Sequence, residues 1–268
     1  MNNSEETKPT GKTVGITFSG GGYRGIAHIG VLRALHEYNI VPTIVSGTSA
    51  GAIVGALYSS GCQTTDMLKF WEEEGVFHYS KFAFGKPGLV DTDKMSGSLE
   101  KYIAARTFEE LNCKLLVTAT DIIRAKPQIF SQGPLIKPII ASASFPIIFT
   151  PTEIEGELYL DGGIMNNFPA ELIRDHCDVL IGVNVSPLRQ VTLKDLDGFL
   201  EISQRVFELG SDTTSRSKIP ICDVYICPEE LANYGTFEAG KIEKIFEIGY
   251  FATLEQMDTI QAKINGDI

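Results

Sequence analysis

The sequence is short of cysteine, histidine and positive charge. Its 268 residues include five cysteines and four histidines, and no cluster of the two has the spacing of a zinc site. An odd number of scattered cysteines is typical of a reduced, intracellular protein rather than of a disulfide framework. Lys and Arg number 23 against 34 Asp and Glu, which gives a formal net charge of −11. This balance argues against nucleic-acid partners, which need a basic footprint, and against broad electrostatic docking on anionic membranes.

Long apolar segments are absent as well. No uninterrupted apolar run approaches the ~18–20 residues of a membrane-spanning helix, and the polar residues 1–12 lack the apolar core of a signal peptide. These absences predict a soluble, cytoplasmic protein with a flexible segment at residues 1–12. Residues 13–268 contain no repeat, low-complexity linker or break in composition, so we expect them to form one domain.

What the chain does have is an alternation of strand-like and helix-like segments. Two strand–glycine–helix units follow each other near the start, with strands at 13–18 and 43–46 and helices at 25–38 and 50–60. Such units are typical of an α/β fold with a mostly parallel sheet. Further strands are predicted at 115–120, 128–131, 158–160, 179–185 and 224–227, and further helices at 67–74, 135–144, 169–176, 193–209 and 241–257.

The sequence GTSAG at 47–51 is a first candidate site, because it lies between a predicted strand and a predicted helix. A serine on a tight strand-to-helix turn projects its hydroxyl out of the sheet, and Gly47 and Gly51 leave room for the bend. The helix N-terminus also directs N–H groups toward a developing oxyanion. This pattern favours Ser49 as a nucleophile. The alternative is a glycine-rich turn in which a hydroxyl side chain only caps the helix.

The sequence GGGYRG at 20–25 is a second candidate site. It fits a dinucleotide-binding loop, but such a loop needs an acidic residue about 20 positions later, and Asp and Glu are absent from 38 to 62. A phosphate-binding Walker loop is excluded because no Gly-Lys-Ser/Thr follows. Consecutive glycine N–H groups also suit an oxyanion, with Arg24 steadying the loop or neutralising an anionic head group. A plain tight turn is the remaining interpretation.

The sequence DGG at 161–163 follows a predicted strand and is a third candidate site. Active sites of α/β proteins gather at the C-terminal ends of strands, although Asp-Gly is also a common turn dipeptide. A hydrolase triad in the order serine, acid, histidine would need a histidine after Asp161. Only His176 follows, and it precedes a strand, at the edge away from the serine. His28 could approach the glycine loop, but a packed helix histidine is the simpler interpretation. We therefore expect a carboxylate to be the base.

Taken together, these blocks resemble the patatin-like phospholipases in their small, single-domain bacterial form. The resemblance rests on residues 19–25, 47–51 and 161–163, with support from ASASFP at 141–146 and NNFP at 166–169. Two departures are minor: Ser19 stands where some members have Asp or Gly, and Gly163 stands where others have Ala. The resemblance implies a three-layer α/β/α fold with a mostly parallel central sheet.

The resemblance also implies a Ser–Asp dyad that uses no metal or organic cofactor. Ser49 is then the nucleophile that forms an acyl-enzyme, and Asp161 is the general base. The other implied site residues are Gly20, Gly21, Gly22, Arg24 and Gly25 at the oxyanion hole, Gly47 and Gly51 at the nucleophile elbow, and Gly162 and Gly163 beside the base. A free aspartate, with a pKa of ~3.9, is a weak base at neutral pH. Burial must therefore raise the pKa, or proton transfer must be concerted with attack.

Residues 70–84 are rich in aromatic side chains, and two interpretations account for them. The six aromatics are Phe70, Trp71, Phe77, Tyr79, Phe82 and Phe84. They form either a lid that admits acyl chains or touches a lipid interface, or a cap that packs on the sheet.

The sequence thus predicts a serine acyl hydrolase that acts on lipid esters, either phospholipid or lysophospholipid, with transient contact to a membrane surface. Two alternatives stay open. One is a general carboxylesterase or thioesterase with the same dyad, and the other is a regulatory binding module that keeps the fold without catalysis. A nucleotide-binding protein is disfavoured by the missing acidic residue.

Overall fold

The computed structural model describes residues 12–74, 93–237 and 239–267. Within these ranges, eight strands form one sheet. The strands are β1 (Val14–Phe18), β2 (Ile44–Thr48), β3 (Lys114–Asp121), β4 (Lys126–Phe130), β5 (Thr152–Ile154), β6 (Glu157–Asp161), β7 (Val179–Val183) and β8 (Val224–Ile226). Their order across the sheet is β5-β6-β3-β2-β1-β7-β8, and β4 pairs with β3 outside this path.

Five neighbouring strands, β3-β2-β1-β7-β8, pair in parallel, whereas β4, β5 and β6 join the sheet antiparallel. The flanking helices are α1 (Ile26–Glu37), α2 (Ala50–Ser59), α3 (Thr64–Glu74), α4 (Asp93–Tyr102), α5 (Ile136–Ser142), α6 (Phe199–Arg216), α7 (Ile242–Glu255) and α8 (Met257–Asn265). The predicted α/β fold with a mostly parallel central sheet is confirmed. None of the helices in the described ranges is long and apolar enough to cross a bilayer.

The central strands are buried along their whole length, as the apolar run of β7 requires of a strand covered on both faces. One face belongs to the main core, where Ile16 and Ile181 pack with the apolar side chains of α1 and α2. The other face carries a smaller cluster that includes Leu180, Phe168 and Ile173. The sheet is therefore buried on both sides, but by unequal amounts of helix.

Three predicted helices differ in detail. Residues 169–176 form two 3₁₀ turns, Ala170–Leu172 and Arg174–His176, instead of one α-helix. Ala170 and Ile173 both join the smaller cluster, and their spacing of three residues suits the tighter turn. The helix predicted at 193–209 is interrupted at Gly198, whose extended backbone (φ −125°, ψ 164°) separates a 3₁₀ turn, Leu193–Leu196, from α6. Thr192 and Asp195 form a capping box at the start of that 3₁₀ turn.

At the end of the chain, the helix predicted at 241–257 is α7, and a further helix, α8, follows it after Gln256. The sequence analysis missed α4, which has few apolar residues, and β5, which has only three residues. Residues 1–11, most of the segment predicted to be flexible, lie outside the described residues. The single-domain organisation of 13–268 stays a prediction.

Helix α2 lies unusually close to the ends of β1 and β2. A Cβ added at Gly51 would overlap the carbonyl oxygen of Phe18 and lie 2.6 Å from that of Ser19. A Cβ added at Gly47 would lie 2.5 Å from the carbonyl oxygen of Gly51. Both glycines of the GTSAG segment are therefore required by close approach of backbone to backbone, which no side-chain rearrangement can relieve.

We expect Gly51→Ala to lower the free energy of unfolding by about 1–3 kcal/mol, because its methyl group meets main-chain atoms. Gly97→Ala is the matched control: Gly97 is exposed in α4 and a Cβ there meets nothing within 4 Å. The control should be stabilising by about 0.5–1 kcal/mol, since alanine favours a helix over glycine. Urea denaturation of both variants measures the difference, and equal midpoints would contradict this account of α2 packing.

Candidate active site

Two of the three candidate segments meet through β3, which lies between β2 and β6 in the sheet. Ser49 follows directly after the last residue of β2, and Asp161 is the last residue of β6. In the register of the sheet, Asp161 faces Ala119 of β3. One strand thus separates the two chain segments, and the Ser49 hydroxyl lies close enough to the Asp161 carboxylate to favour its charged form.

Ser49 is held in a backbone conformation that L-residues rarely adopt, with φ 54° and ψ −122°. Its N–H donates to Ser142 Oγ at 2.8 Å, and its carbonyl oxygen accepts the N–H of Ala52 at 2.9 Å. Next to it, Thr48 Oγ1 donates to the carbonyl oxygen of Asn166 at 2.8 Å. Helix α5, the first turn of α2 and the segment after Asp161 therefore all hold the strained turn in place.

Asp161 is buried and has few hydrogen-bond donors. Its Oδ1 accepts the N–H of Gly163 at 2.7 Å, and the neighbouring Ser49 hydroxyl also favours the charged form of the carboxylate. Burial raises the pKa of Asp161 to about 7, and these two neighbours oppose this rise only in part. The carboxyl group that the sequence singled out thus titrates near neutral pH.

The glycine loop after β1 presents N–H groups to the same place. The N–H of Gly20 donates to the carbonyl oxygen of Asn167 at 3.1 Å and is thereby occupied. In the part of the chain that the structure describes, the N–H groups of Gly21 and Gly22 have no acceptor. Gly22 has φ +58°, and a Cβ there would overlap the carbonyl oxygen of Thr236. These two N–H groups are the ones available for a bound oxyanion.

Arg24 is buried and turned toward the protein. Its Nε contacts the carbonyl oxygen of Gly21 at 3.4 Å, and its Nη2 donates to Thr236 Oγ1 at 3.0 Å. Glu208 of α6 lies 3.9 Å from the same nitrogen. Burial lowers the pKa of Arg24, and the Glu208 charge counteracts that shift. Arg24 thus links the glycine loop to α6 and to the segment around Thr236.

The remaining glycines of the three segments serve close packing. Gly25 lies against the Cβ of Ala50, the residue after Ser49. Gly162 lies against the backbone of Thr118 in β3, and Gly163 lies close to the side chain of Asn167 and to Asp161 itself. Of these glycines, Gly163 takes part in the site directly, through its N–H.

Ser49, Asp161, Gly20, Gly21, Gly22 and Arg24 line one cavity of about 630 Å³, open solvent at its mouth included. The sequence analysis missed much of the remaining wall. Three phenylalanines line it, Phe145, Phe207 and Phe237, together with polar residues of α6 such as Gln204, Ser211 and Ser215. Phe145 lies in the ASASFP block, so the block carried a signal, whereas nothing in the sequence indicated that α6 reaches the site.

His28 does not line this cavity. It is fully buried in α1 against Phe18, with ring centroids 4.6 Å apart, and its Nε2 donates to the carbonyl oxygen of Ser19 at 2.9 Å. Burial lowers the pKa of His28 to about 3, and its Nδ1 has no hydrogen-bond partner among the residues that the structure describes. The packed helix histidine is thus what the structure shows at this position. His78 lies outside the described residues.

Of the six clustered aromatics, Phe70 and Trp71 are described, and both are buried. The Trp71 ring lies 5.9 Å from that of Tyr23, and the Phe70 ring lies 5.4 Å from that of Tyr102. These two side chains pack as a cap does. The other four, Phe77, Tyr79, Phe82 and Phe84, lie outside the described residues. Across the described ranges, no group of three or more His, Cys, Asp or Glu side chains is arranged to hold a metal ion.

The amino-acid sequence matches a known protein family. The family model for patatin-like phospholipases matches residues 16–173, which contain all three candidate segments. The lysophospholipase nte1 of Aspergillus fumigatus is 29% identical over 90% of this chain, and the match covers 18% of the fungal protein. An uncharacterized NTE family protein of Mycobacterium bovis is 30% identical over 65% of this chain and 49% of its own length. The chain thus spans about a fifth of the length of its fungal relatives.

Among solved structures, VipD from Legionella pneumophila has a similar fold, with a TM-score of 0.60 at 17% sequence identity. The match covers 92% of this chain and 67% of VipD. At this identity the likeness concerns the fold alone.

The raised pKa of Asp161 predicts how its removal affects stability. Between its ordinary pKa of 3.8 and about 7, the folded protein keeps a proton on Asp161 that the unfolded chain has lost. Wild-type stability must therefore fall as pH rises through this window, by about 4 kcal/mol at most. Asp161→Asn removes the titration, so the variant should gain stability relative to wild type between pH 5 and pH 8. Urea denaturation at both pH values measures the gain.

The low pKa of His28 also makes stability depend on pH, but it does so equally in both proteins and cancels in the comparison. A stability difference between wild type and Asp161→Asn that is the same at pH 5 and pH 8 would contradict the assignment of the raised pKa to Asp161.

Proposed function

The chain belongs to the patatin-like phospholipase family, and we propose that it is a serine acyl hydrolase that cleaves acyl esters of phospholipids or lysophospholipids. The observation that carries the proposal is the placement of the Ser49 hydroxyl beside the buried Asp161 carboxylate inside one cavity. Its fungal relatives are named lysophospholipases, and three phenylalanines line the cavity. Both findings support a substrate with an acyl chain.

In the first step, Ser49 Oγ attacks the ester carbonyl carbon while its proton passes to Asp161. A C–O bond forms between Ser49 and the acyl group, and the carbonyl electrons move onto oxygen. Collapse of this intermediate breaks the ester bond, and the leaving alcohol takes the proton from Asp161. The product is an acyl-enzyme on Ser49.

The negative oxygen of the intermediate needs donors that are already oriented. The N–H groups of Gly21 and Gly22 are the candidates, since Gly20 already donates to Asn167. Arg24 keeps this loop in position through its contacts to Gly21 and Thr236. Preorganised donors of this kind cost no reorganisation during reaction, and losing one typically slows such enzymes by ~10²–10³.

Asp161 suits the role of base because of its burial. A carboxylate with a pKa of about 7 is partly ionised at neutral pH, and it is about a thousandfold more basic than a carboxylate with the ordinary value. In the second half of the reaction, Asp161 takes a proton from water as that water attacks the acyl-enzyme. The fatty acid leaves, and the proton returns to Ser49.

A purely structural or binding role accounts less well for these features. The positive φ of Ser49 and the burial of an ionisable carboxyl at Asp161 both cost folding free energy. Strained backbone and strongly shifted pKa values cluster at catalytic sites. Their presence in two neighbouring residues of one cavity favours catalysis over the regulatory binding module.

A fluorophosphonate probe should label the wild-type protein at Ser49, because the activated hydroxyl attacks phosphorus as it would attack an ester. Labelling should vanish in Ser49→Ala and slow by about 10²–10⁴ in Asp161→Asn, which removes the base. Mass spectrometry of tryptic peptides locates and quantifies the adduct.

Asp121→Asn is the matched control, since Asp121 is also buried but pairs with Arg124 at the end of β3 and does not line the cavity. It should leave the labelling rate unchanged. The proposed activity would be refuted if the wild-type protein stayed unlabelled both in lipid-free buffer and after addition of lysophosphatidylcholine.

The pH dependence of labelling tests the base directly. Because only ionised Asp161 accepts the Ser49 proton, the second-order rate constant should rise with pH around a midpoint of about 7 and level off above it. The residual rate of Asp161→Asn should lack this midpoint. A wild-type rate that is flat or falling from pH 5 to pH 8 would exclude Asp161 as the base.

A further inference from the structure

Helix α6 carries its apolar stripe on the outside. Five of its large apolar side chains are exposed to solvent: Phe199 (72%), Leu200 (40%), Ile202 (50%), Val206 (65%) and Leu209 (46%). All of these except Leu200 are spaced by three or four residues and so lie on one face of the helix, which we call the α6 stripe. No charged residue occupies a position within this set. A helix of a soluble protein normally turns such a face toward the core.

The opposite face of α6 forms part of the catalytic cavity wall. Phe207 and Ser211 line that cavity. Ser211 Oγ donates to the carbonyl oxygen of Gly163 at 2.8 Å, two residues from Asp161. The Phe207 ring lies 4.5 Å from the ring of Phe145. The helix therefore has a polar and aromatic face toward the candidate site and an apolar face toward solvent.

A second cavity opens beside the N-terminal part of α6. It has a volume of about 760 Å³, open solvent included, and its lining includes Pro146, Ile147 and Leu200. It shares four lining residues with the catalytic cavity: Phe145, Gln204, Thr236 and Phe237. Ile147 is exposed at this cavity with φ 73°, a strained conformation for a β-branched residue. The second cavity is thus adjacent to the candidate site and shares part of its wall.

The size of the stripe distinguishes between a second copy of the chain and a lipid surface. The 18 residues of α6 span about 27 Å, so a face about 10 Å wide offers about 270 Å². A stable dimer buries about 800 Å² on each partner. A helix that lies in a lipid interface needs to bury only its apolar face, to a depth of about 5–10 Å.

Charge decides which lipid surface fits. The chain has a formal net charge of −11, which opposes approach to anionic lipid. The α6 stripe itself is uncharged, so its attraction is apolar and suits a zwitterionic surface.

We propose that the α6 stripe docks the protein on a zwitterionic lipid surface and thereby places the second cavity where acyl chains can enter it. This inference rests on the proposed function, because a lipid surface is where such an enzyme would meet its substrate. It adds the surface by which that meeting occurs. The contact between the α6 stripe and the lipid is apolar, and it does not require the side chains of the catalytic site.

The test measures binding apart from catalysis. Ser49→Ala protein, which cannot hydrolyse lipid, is mixed with phosphatidylcholine vesicles and sedimented. The same protein carrying Ile202→Gln and Val206→Gln should bind at least about tenfold more weakly, since it loses two apolar side chains from the contact. Val41→Gln is the matched control, because Val41 is exposed at 62% in the turn before β2, and it should bind as Ser49→Ala does.

A gain-of-signal variant guards against misfolding. The chain has one tryptophan, the buried Trp71, so the indole introduced by Val206→Trp reports on the stripe. Its emission should shift to shorter wavelength when phosphatidylcholine vesicles are added. Equal binding of the Gln variants, or an unchanged emission, would overturn the proposal. So would a dimer in sedimentation velocity that Ile202→Gln with Val206→Gln dissociates, since a second copy would then cover the stripe.

Fluorophosphonate labelling in vesicle-free buffer separates this proposal from the proposed function. In an otherwise wild-type background, the Gln variants should label at the wild-type rate, because neither residue lines a cavity of the site. Hydrolysis of vesicle lipid should fall with their binding. Absence of labelling in every protein would refute the enzyme, whereas normal labelling with unaltered vesicle binding would refute the docking surface alone.

Discussion

The burial of the Asp161 carboxyl beside the Ser49 hydroxyl is the constraint around which the rest of the molecule is arranged. A serine–carboxylate pair becomes reactive only where water is scarce, because solvation would return the carboxylate to its ordinary pKa. The site must therefore be enclosed, and α6 with its phenylalanine neighbours encloses it. The two side chains also come from strands that are not adjacent, and the strained backbone of Ser49 is fixed by hydrogen bonds from distant segments.

Burial shifts the pKa values of acidic and basic side chains near the site in opposite directions. It raises the pKa of Asp161 and lowers those of His28 and Arg24, since burial always penalises the charged form. Arg24 has a nearby carboxylate, Glu208, that compensates, whereas His28 has none and remains neutral. The region between β1 and α6 thus favours uncharged side chains. Because the neutral His28 lies outside the cavity, Asp161 is the candidate base beside Ser49.

Much of this arrangement could be predicted from the sequence, because it is local. The strand–glycine–helix units around 20–25 and 47–51 determine where two parallel strands end, and parallel strands bring their ends to one edge. The contribution of α6 could not be predicted, since its apolar positions have the period of a buried face and lie outward instead. The partners of Arg24 could not be predicted either. They come from residues near 208 and 236, and no spacing rule connects such distant segments.

The contacts that complete the site join segments far apart in the chain. Thr48 reaches Asn166 across 118 residues, and Ser49 reaches Ser142 across 93. Closing loops of that length is entropically costly. The sheet requires an even longer closure, since Val14 of β1 pairs with Val179 of β7. A chain that had formed only its local helices would therefore have no reactive hydroxyl, and the return of reactivity during refolding would report the assembly of the sheet.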